Sequence, residues 1–357
     1  MNKNPLTDLK VIEIASVLAG PSVGLFFAEM GAQVIKIENK KTGGDVTRSW
    51  KLPNESKAST ISAYFASVNW NKTYLSLDFG KADELNQTLE LIKNADILIV
   101  NFKFGDAEKF GLDYNSLRKI NANLIYGEIS GFGENSERVA YDLILQAESG
   151  FMAINGTEES GPVKMPVALI DLLAGHQLKE GLLVALLQRK NHGEGARVHV
   201  SLFDSAVASL ANQASNWLMT KTDPERIGSK HPNIAPYGEI FQTKDNHLIT
   251  LAIGSNKQFH ALCSLLDLKE LIDHKNFDTN QNRVINRQEL ARILANKIKL
   301  TNCFELLTQL VKNYVPAAKI KKVSEVFTED VIKRLVLEEE IESSSTKRVK
   351  SIAFKID

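Results

Sequence analysis

The first two hundred or so residues alternate between two periodicities, and that alternation narrows the fold more than any other feature of the chain. KVIEIA (10–15) is a short β-branched apolar run and reads as a strand. PSVGLFFAEMG (21–31) then reads as a helix, opened by Pro21, where a missing N–H costs nothing, and closed by Gly31. QVIKIE (33–38) is the next strand. YLSLDF (74–79), the helical ADELNQTLELIKNA (82–95) with its Leu85, Leu89 and Ile92 stripe, and ILIVNF (97–102) repeat the unit. LIYGEIS (124–130) is a further strand, and a long helix beginning near Asp171 leads into VHVSL (198–202). Strands joined by helix-length crossovers pair parallel, and a parallel sheet needs helices on its faces. The expectation is an α/β fold.

The texture changes after about residue 220. TKTDPERIGSKHPNIAPYG (220–238) is polar, contains proline and has no period. GEIFQTKDNHLITLAIG (238–254) reads as a hairpin, and KQFHALCSLLDL, NRQELARILANKIKL and FELLTQLVKNY read as helices. We expect a large α/β domain over 1–205, a linker over 206–225 and a small α+β domain over 226–320. A linker and tail over 321–357 should return toward the large domain. The charged run EEEIESSSTKRVK (338–350) reads as a solvated hairpin turn.

Composition closes off several function classes. Lys plus Arg (43) equals Asp plus Glu (43), so no basic field exists to hold a nucleic acid, although a local patch can hold a small phosphate. The longest strongly apolar run, Gly181–Leu187, is far short of a bilayer span, and the N-terminus lacks a signal peptide's apolar core. A soluble, cytoplasmic protein is expected, with no membrane partner. The 7 histidines show no ligand-like spacing, so no metal site is expected. Cys263 and Cys303 lie in apolar helical contexts and read as buried, inert thiols. ASVLAGPSVG (15–24) and SGFGENS (130–136) contain glycines at strand ends without the full dinucleotide spacing, and no GxSxG, HExxH or Walker loop occurs.

The residue that resists an ordinary reading is Asp171, in MPVALIDLLAG, where strand-like apolar sequence turns into helix. A single Asp there normally caps the helix. His176, five residues on, reads as a core or supporting histidine.

The surroundings change the odds. VIEIASVLAGPSVGLFFAEMGAQVIKIE, GGDVTRSW (43–50), NKTYLSLD (71–78), ADILIVNFKFG (95–105), FGLDY (110–114), NLIYGEISGFG (123–133), RVAYDLILQAESGFM (138–152) and the Asp171 stretch resemble the family III CoA-transferases, the CaiB/BaiF group. So do APYGEIFQTKD (235–245), NRVINRQEL (282–290) and YVPAAKI (314–320). The resemblance implies the CaiB/BaiF fold, a large Rossmann-like parallel-sheet domain plus a small α+β domain. It also implies an acyl-CoA:carboxylate CoA-transferase with Asp171 as nucleophile, passing through a mixed anhydride and an aspartyl-CoA thioester.

Under that resemblance, CoA is a substrate and no cofactor is tightly bound. The partners are acyl-CoA and a carboxylic acid acceptor. CoA is cradled by the backbone around Val17, Leu18 and Ala19, by Asn101 and Phe102, and by Lys109 and Phe110. Lys109, Arg138 and Lys72 are its candidate phosphate cations. Asp142 either supports the chemistry or caps a helix start. The assembly implied is an interlocked homodimer. Thr73, Phe104 and Leu18 depart from the family pattern: formyl-CoA transferases carry glutamine where Leu18 stands. Two alternatives stay open. An α-methylacyl-CoA racemase pairs His with Asp, where this chain has Tyr141-Asp142; the other alternative is a non-catalytic CoA-binding member.

Overall fold

The computed structural model describes residues 5–356, and the chain divides into two compact units. The first comprises residues up to Phe151, Lys164–Asn212 and everything from Val331. The second comprises Met152–Val163 and Gln213–Asp330.

The first unit is built on six strands: β1 (Lys10–Ile14), β2 (Gln33–Asn39), β3 (Lys72–Leu77), β4 (Ile97–Val100), β5 (Ile125–Ser130) and β6 (Ala196–Ser201). They pair parallel throughout, in the order β3-β2-β1-β4-β5-β6. From β1 the chain winds outward one way to β3, then returns to the centre and winds the other way. At such a reversal the loops leaving adjacent strands diverge, and a crevice opens at the carboxyl ends of the strands. Here that place lies between β1 and β4. Residues Ser16–Ala19 follow one strand and Asn101–Phe102 the other.

Period-2 alternation sends Val11, Ile97 and Ile99 to one face and Ile12, Leu98 and Val100 to the other. On the first face lie two helices. Ala19–Glu29 is apolar all round and buried from Ala19 to Ala28, as a helix without a polar face must be. Leu169–His192 buries Ile170, Ala174, Leu178 and Leu182 and stops at Gly193, whose left-handed φ of 77° makes the C-terminal cap. The two helices meet at Gly175, where a Cβ would lie 2.4 Å from Ser22 Oγ and 3.2 Å from the Ala19 carbonyl oxygen. Only glycine permits that approach.

The tail corrects one expectation. Val336–Ile341 and Ser344–Val349 do form a hairpin, but it is solvated on one face only. Strand alternation turns Glu338 and Glu340 outward, while Ile341 joins Ile61, Phe65 and Ala66 in a small core. Arg348 is buried and ion-paired with Glu29, whose carboxylate also accepts the Ser351 and Ile352 N–H groups. Residues 206–225, expected as linker, are largely helical, since Leu202–Ala208 and Ala211–Thr220 occupy most of them.

The second unit carries an antiparallel sheet of Tyr237–Gln242, Leu248–Ala252 and Ala317–Lys319. Helices Asn256–Leu265, Arg287–Ile298 and Cys303–Lys312 cover it, with a separate core around Phe259, Leu262, Leu294 and Leu310. Both cysteines are free and buried there, and burial pushes the Cys263 thiol up to about 12, which makes it inert. Among the described residues no helix is long and apolar enough to cross a membrane.

Candidate active site

Asp171 is the third residue of its helix, and it does not cap it. The capping position falls to Ala168, whose methyl group cannot accept a hydrogen bond. Asp142 does the work instead: the Ile170 N–H donates to Asp142 Oδ1 at 2.7 Å. Gln146 Nε2 donates to Asp142 Oδ2 at 2.6 Å, and Gln146 Oε1 in turn accepts the Met165 N–H at 2.8 Å. Asp142 therefore caps a helix start, but Asp171's rather than its own.

With its helix capped by another residue, Asp171 is left without a structural duty. It is 7% exposed and accepts no hydrogen bond or ion pair among the described residues. An apolar cluster of Val17, Leu18, Tyr64, Ala168 and Leu172 adjoins it. Burial, and then the nearby charge of Asp142, push its carboxyl up to about 7. The helix N-terminus favours the charged form, but desolvation outweighs it. The result is a carboxylate of high basicity with little exposure to water.

Tyr64 adjoins Asp171 electrostatically and Trp50 packs on Tyr64, and neither stands out in the sequence. Tyr64 is half-buried, and its phenol is pushed up to about 12 by burial and by the charges of Asp171, Asp142 and Asp45. Trp50 meets it edge to face, with centroids 5.1 Å apart. The stretch joining them, residues 50–64, has no period that would have flagged either.

The residues expected at CoA separate into three groups. Val17, Leu18 and Ala19 lie at the switch point, the latter two buried. Asn101 is fastened to them: its Oδ1 accepts the Ser16 N–H at 3.0 Å, and its Nδ2 donates to the Ser16 carbonyl at 2.9 Å. Asn101 thus fixes the β1 loop. Phe102 and Phe110 are partly buried beside the second sheet face, where Phe110 meets Phe79 at 5.7 Å. Lys109 is exposed, with Nζ 5.2 Å from the Phe110 ring centroid and no ion pair among the described residues.

Of the other expected phosphate cations, one is committed inside the protein and one is paired at the surface. Lys72 is buried, and its ammonium donates to Glu13 Oε2 at 2.7 Å, Val68 O at 2.9 Å, Asn69 Oδ1 at 2.9 Å and Pro21 O at 3.0 Å. It has no proton left for a phosphate. Arg138 is ion-paired with Glu148 and lies 3.8 Å from the Phe132 ring centroid. Among the positions that depart from the family pattern, Leu18 is buried in the cluster, whereas Thr73 and Phe104 are exposed. His176 is exposed, so it is no core histidine.

The sequence model of CoA-transferase family III matches residues 6–357. This chain belongs to that family. The CoA-transferase resembles the succinate–glutarate CoA-transferase of Agrobacterium fabrum, 38% identical over 347 residues, spanning 96% of this chain and 86% of that protein. Human succinyl-CoA:glutarate CoA-transferase is 34% identical over 331 residues, spanning 92% of this chain and 74% of that one. The acetyl-CoA:oxalate CoA-transferase of Acetobacter aceti is 33% identical over 327 residues, spanning 90% and 82%. A CaiB/BaiF family protein from Brucella suis has a solved structure that superposes with a TM-score of 0.84 at 36% identity, covering 98% of this chain and 92% of that one. The parallel sheet of the CoA-transferase is thus the architecture its motifs implied. The Agrobacterium, human and Acetobacter relatives are named as CoA-transferases, which supports transferase over the racemase and non-catalytic alternatives.

Proposed function

We propose that this enzyme moves coenzyme A between succinyl-CoA and a second dicarboxylic acid, with Asp171 as the nucleophile. The observation that carries the reading is the buried Asp171 carboxylate, free of any hydrogen bond among the described residues, at a helix start that a different acid caps. A protein does not leave a carboxylate so placed for stability, because burial without a partner is unfavourable. The dicarboxylate class is supported by the relatives, whose names pair succinate with glutarate or involve oxalate.

The steps conserve atoms without an added reactant. An Asp171 oxygen attacks the thioester carbonyl, the C–S bond breaks, and CoA leaves as a thiolate from a mixed anhydride. The thiolate attacks the aspartyl carbonyl, the C–O bond breaks, and the first acid departs, leaving an aspartyl-CoA thioester. The acceptor carboxylate then attacks that thioester, the C–S bond breaks, and a second mixed anhydride joins Asp171 to the acceptor; the thiolate attacks the acceptor's carbonyl in it, the C–O bond to Asp171 breaks, and the new acyl-CoA leaves. Asp171 returns as a carboxylate. A pocket walled by Leu18, Leu172 and Tyr64 keeps water from the anhydride. For CoA itself, the reading places the backbone of Val17–Ala19 and the rings of Phe102 and Phe110 against the ligand, with Lys109 at a phosphate. Asn101 holds the loop, Lys72 drops out of the set, and Arg138 stays in it beside Lys109. A homodimer belongs to the same reading.

Mass analysis of the Asp171 peptide after incubation with succinyl-CoA and borohydride trapping tests it. A reduced adduct in wild type, absent from Asp171→Ala, supports the nucleophile. Transfer activity persisting in Asp171→Ala would end the assignment.

A further inference from the structure

Beneath the β1 loop lies a set of buried charges that the chemistry above does not use. Glu13 and Lys36 are opposite one another in the β1–β2 register, and both are wholly buried. Lys36 Nζ donates to Glu13 Oε1 at 2.9 Å and to the Ala15 carbonyl at 2.6 Å, and lies 3.1 Å from Asp45 Oδ2. Asp45 is buried as well, and receives Thr47 N–H at 3.0 Å and Thr47 Oγ1–H at 2.8 Å. Its remaining donor is the Val17 N–H, at 3.3 and 3.2 Å from the two carboxylate oxygens.

Val17 is the other half of the observation. Its φ is +71°, a left-handed backbone that a β-branched residue adopts only when its surroundings impose it. Asn101 grips Ser16 on one side and Asp45 grips Val17 on the other. Replacing buried ion pairs with apolar residues is often neutral or stabilising, so stability alone gives no reason for this network. What it does achieve is geometry. Val17 and Leu18 share an apolar cluster with Tyr64, Ala168 and Leu172, and the Asp171 charge acts on Tyr64 within it.

We propose that Asp45 is a positioning residue: anchored by Lys36, which Glu13 holds in turn, it keeps Val17 in the left-handed conformation that sets the apolar wall beside Asp171. The inference rests on the transferase reading and deepens it. Displacement of that wall misplaces the reacting carbonyl, and small misplacements are expensive in rate.

The test uses Asp45→Asn, Val17→Gly and the double variant in the full-length enzyme. Asp45→Asn should lower kcat/KM by roughly tenfold or more, the scale for losing a hydrogen bond to a charged group. Amide exchange across residues 15–20 should quicken. Measured against Val17→Gly alone, adding Asp45→Asn should cost far less than tenfold, because glycine takes the left-handed backbone without a clamp. A merely structural Asp45 would lower thermal stability, leave kcat/KM of the folded enzyme unchanged, and show no rescue by glycine. Asp45→Asn within about twofold of wild type, or a loss that glycine leaves untouched, overturns the proposal. If Asp45→Asn fails to fold, folding and activity of the double variant support the clamp, and its failure to fold overturns it. Exchange needs no turnover. A wild type that transfers nothing, yet shows Asp45-dependent protection rescued by glycine, would count against the Asp171 chemistry and leave the clamp standing.

Discussion

Asp171 places catalysis and stability in opposition, and the direction follows from its raised pKa. Between pH about 4 and about 7 the folded protein holds a proton there that the unfolded chain, near 3.8, has released. Stability from this group therefore falls as pH rises through that window, and the deficit is complete above about 7. Asp171→Asn removes the charge while keeping the shape. It should abolish transfer yet stabilise the protein at pH 8 by about 2–4 kcal/mol, with the gain vanishing near pH 4. Denaturant unfolding at the two pH values checks this. Activity runs the other way, since only the ionised carboxylate attacks: kcat/KM should rise with pH toward a plateau, with a midpoint near 7 in the free enzyme. Asp142 supplies part of the upward shift, so Asp142→Asn, which can still accept the Ile170 N–H, should move that midpoint to lower pH. A midpoint that stays in place would show that burial alone sets it. At this scale the sequence was legible where a residue's neighbours along the chain tell its story. Asp171 stood out among Ile170, Leu172 and Leu173. Lys72 did not, because its partner Glu13 lies 59 residues away, and a lysine in NKTYLSLD looks like a surface cation. A separation of 28 residues likewise hides Asp45 from Val17, although Asp45 stands in the GGDVTRSW motif.

Among the elements, strands and helices were readable because their periods are local, and the exceptions have local causes. The 206–225 stretch is expected as linker, yet up to Thr220 it is mostly helix, because its alanines, Leu210 and Gln213 are good helix formers. The charged tail was read as solvated because charge dominates its composition. Ile341 finds its partners at Ile61 and Phe65, which no reading of the tail alone reveals. Gly175 carries the element-scale prediction. It lies one turn beyond Asp171 and lets the Ala19–Glu29 helix approach the helix that carries the nucleophile. Gly175→Ala gains helix propensity in an isolated helix but must push Ser22 Oγ aside from 2.4 Å and press on the Ala19 carbonyl at 3.2 Å. Overpacking of this kind costs about 1–3 kcal/mol, and here it should win over the propensity gain of about 1 kcal/mol. The variant should unfold at lower denaturant concentration and lose kcat more than CoA affinity, since the shift occurs at the walls of the Asp171 pocket. A variant as stable as wild type would mean that Ser22 rotates away without resistance.

At the scale of the whole molecule, the Leu169–His192 helix leaves a second apolar face unaccounted for. Its inner face buries Leu178, Leu182 and Ala185, yet Leu183, Val184 and Leu187 are 36%, 54% and 63% exposed. Those three stand at i, i+1 and i+4 and form one patch on the outer side. The GLLVALL run shows both faces in the sequence itself, because a surface helix would carry charges where Val184 and Leu187 stand. A second copy of the chain is the occupant proposed for this face, in keeping with the homodimer expected from the family resemblance. An interface of apolar helix surface should be large and obligate, and should hold in high salt, because it owes little to ion pairs that ions screen. Sedimentation velocity at micromolar concentration should therefore give a dimer near twice 39.6 kDa, unchanged between low and high salt. Leu187→Glu places a charge in the middle of the patch, and removing that charge from water without a partner costs several kcal/mol. The variant should sediment as a monomer or dissociate on dilution, while its Asp171 helix keeps the same inner packing. A wild-type monomer at micromolar concentration would refute the dimer outright. A dimer indifferent to Leu187→Glu would place the interface on some other surface and leave this patch exposed to water.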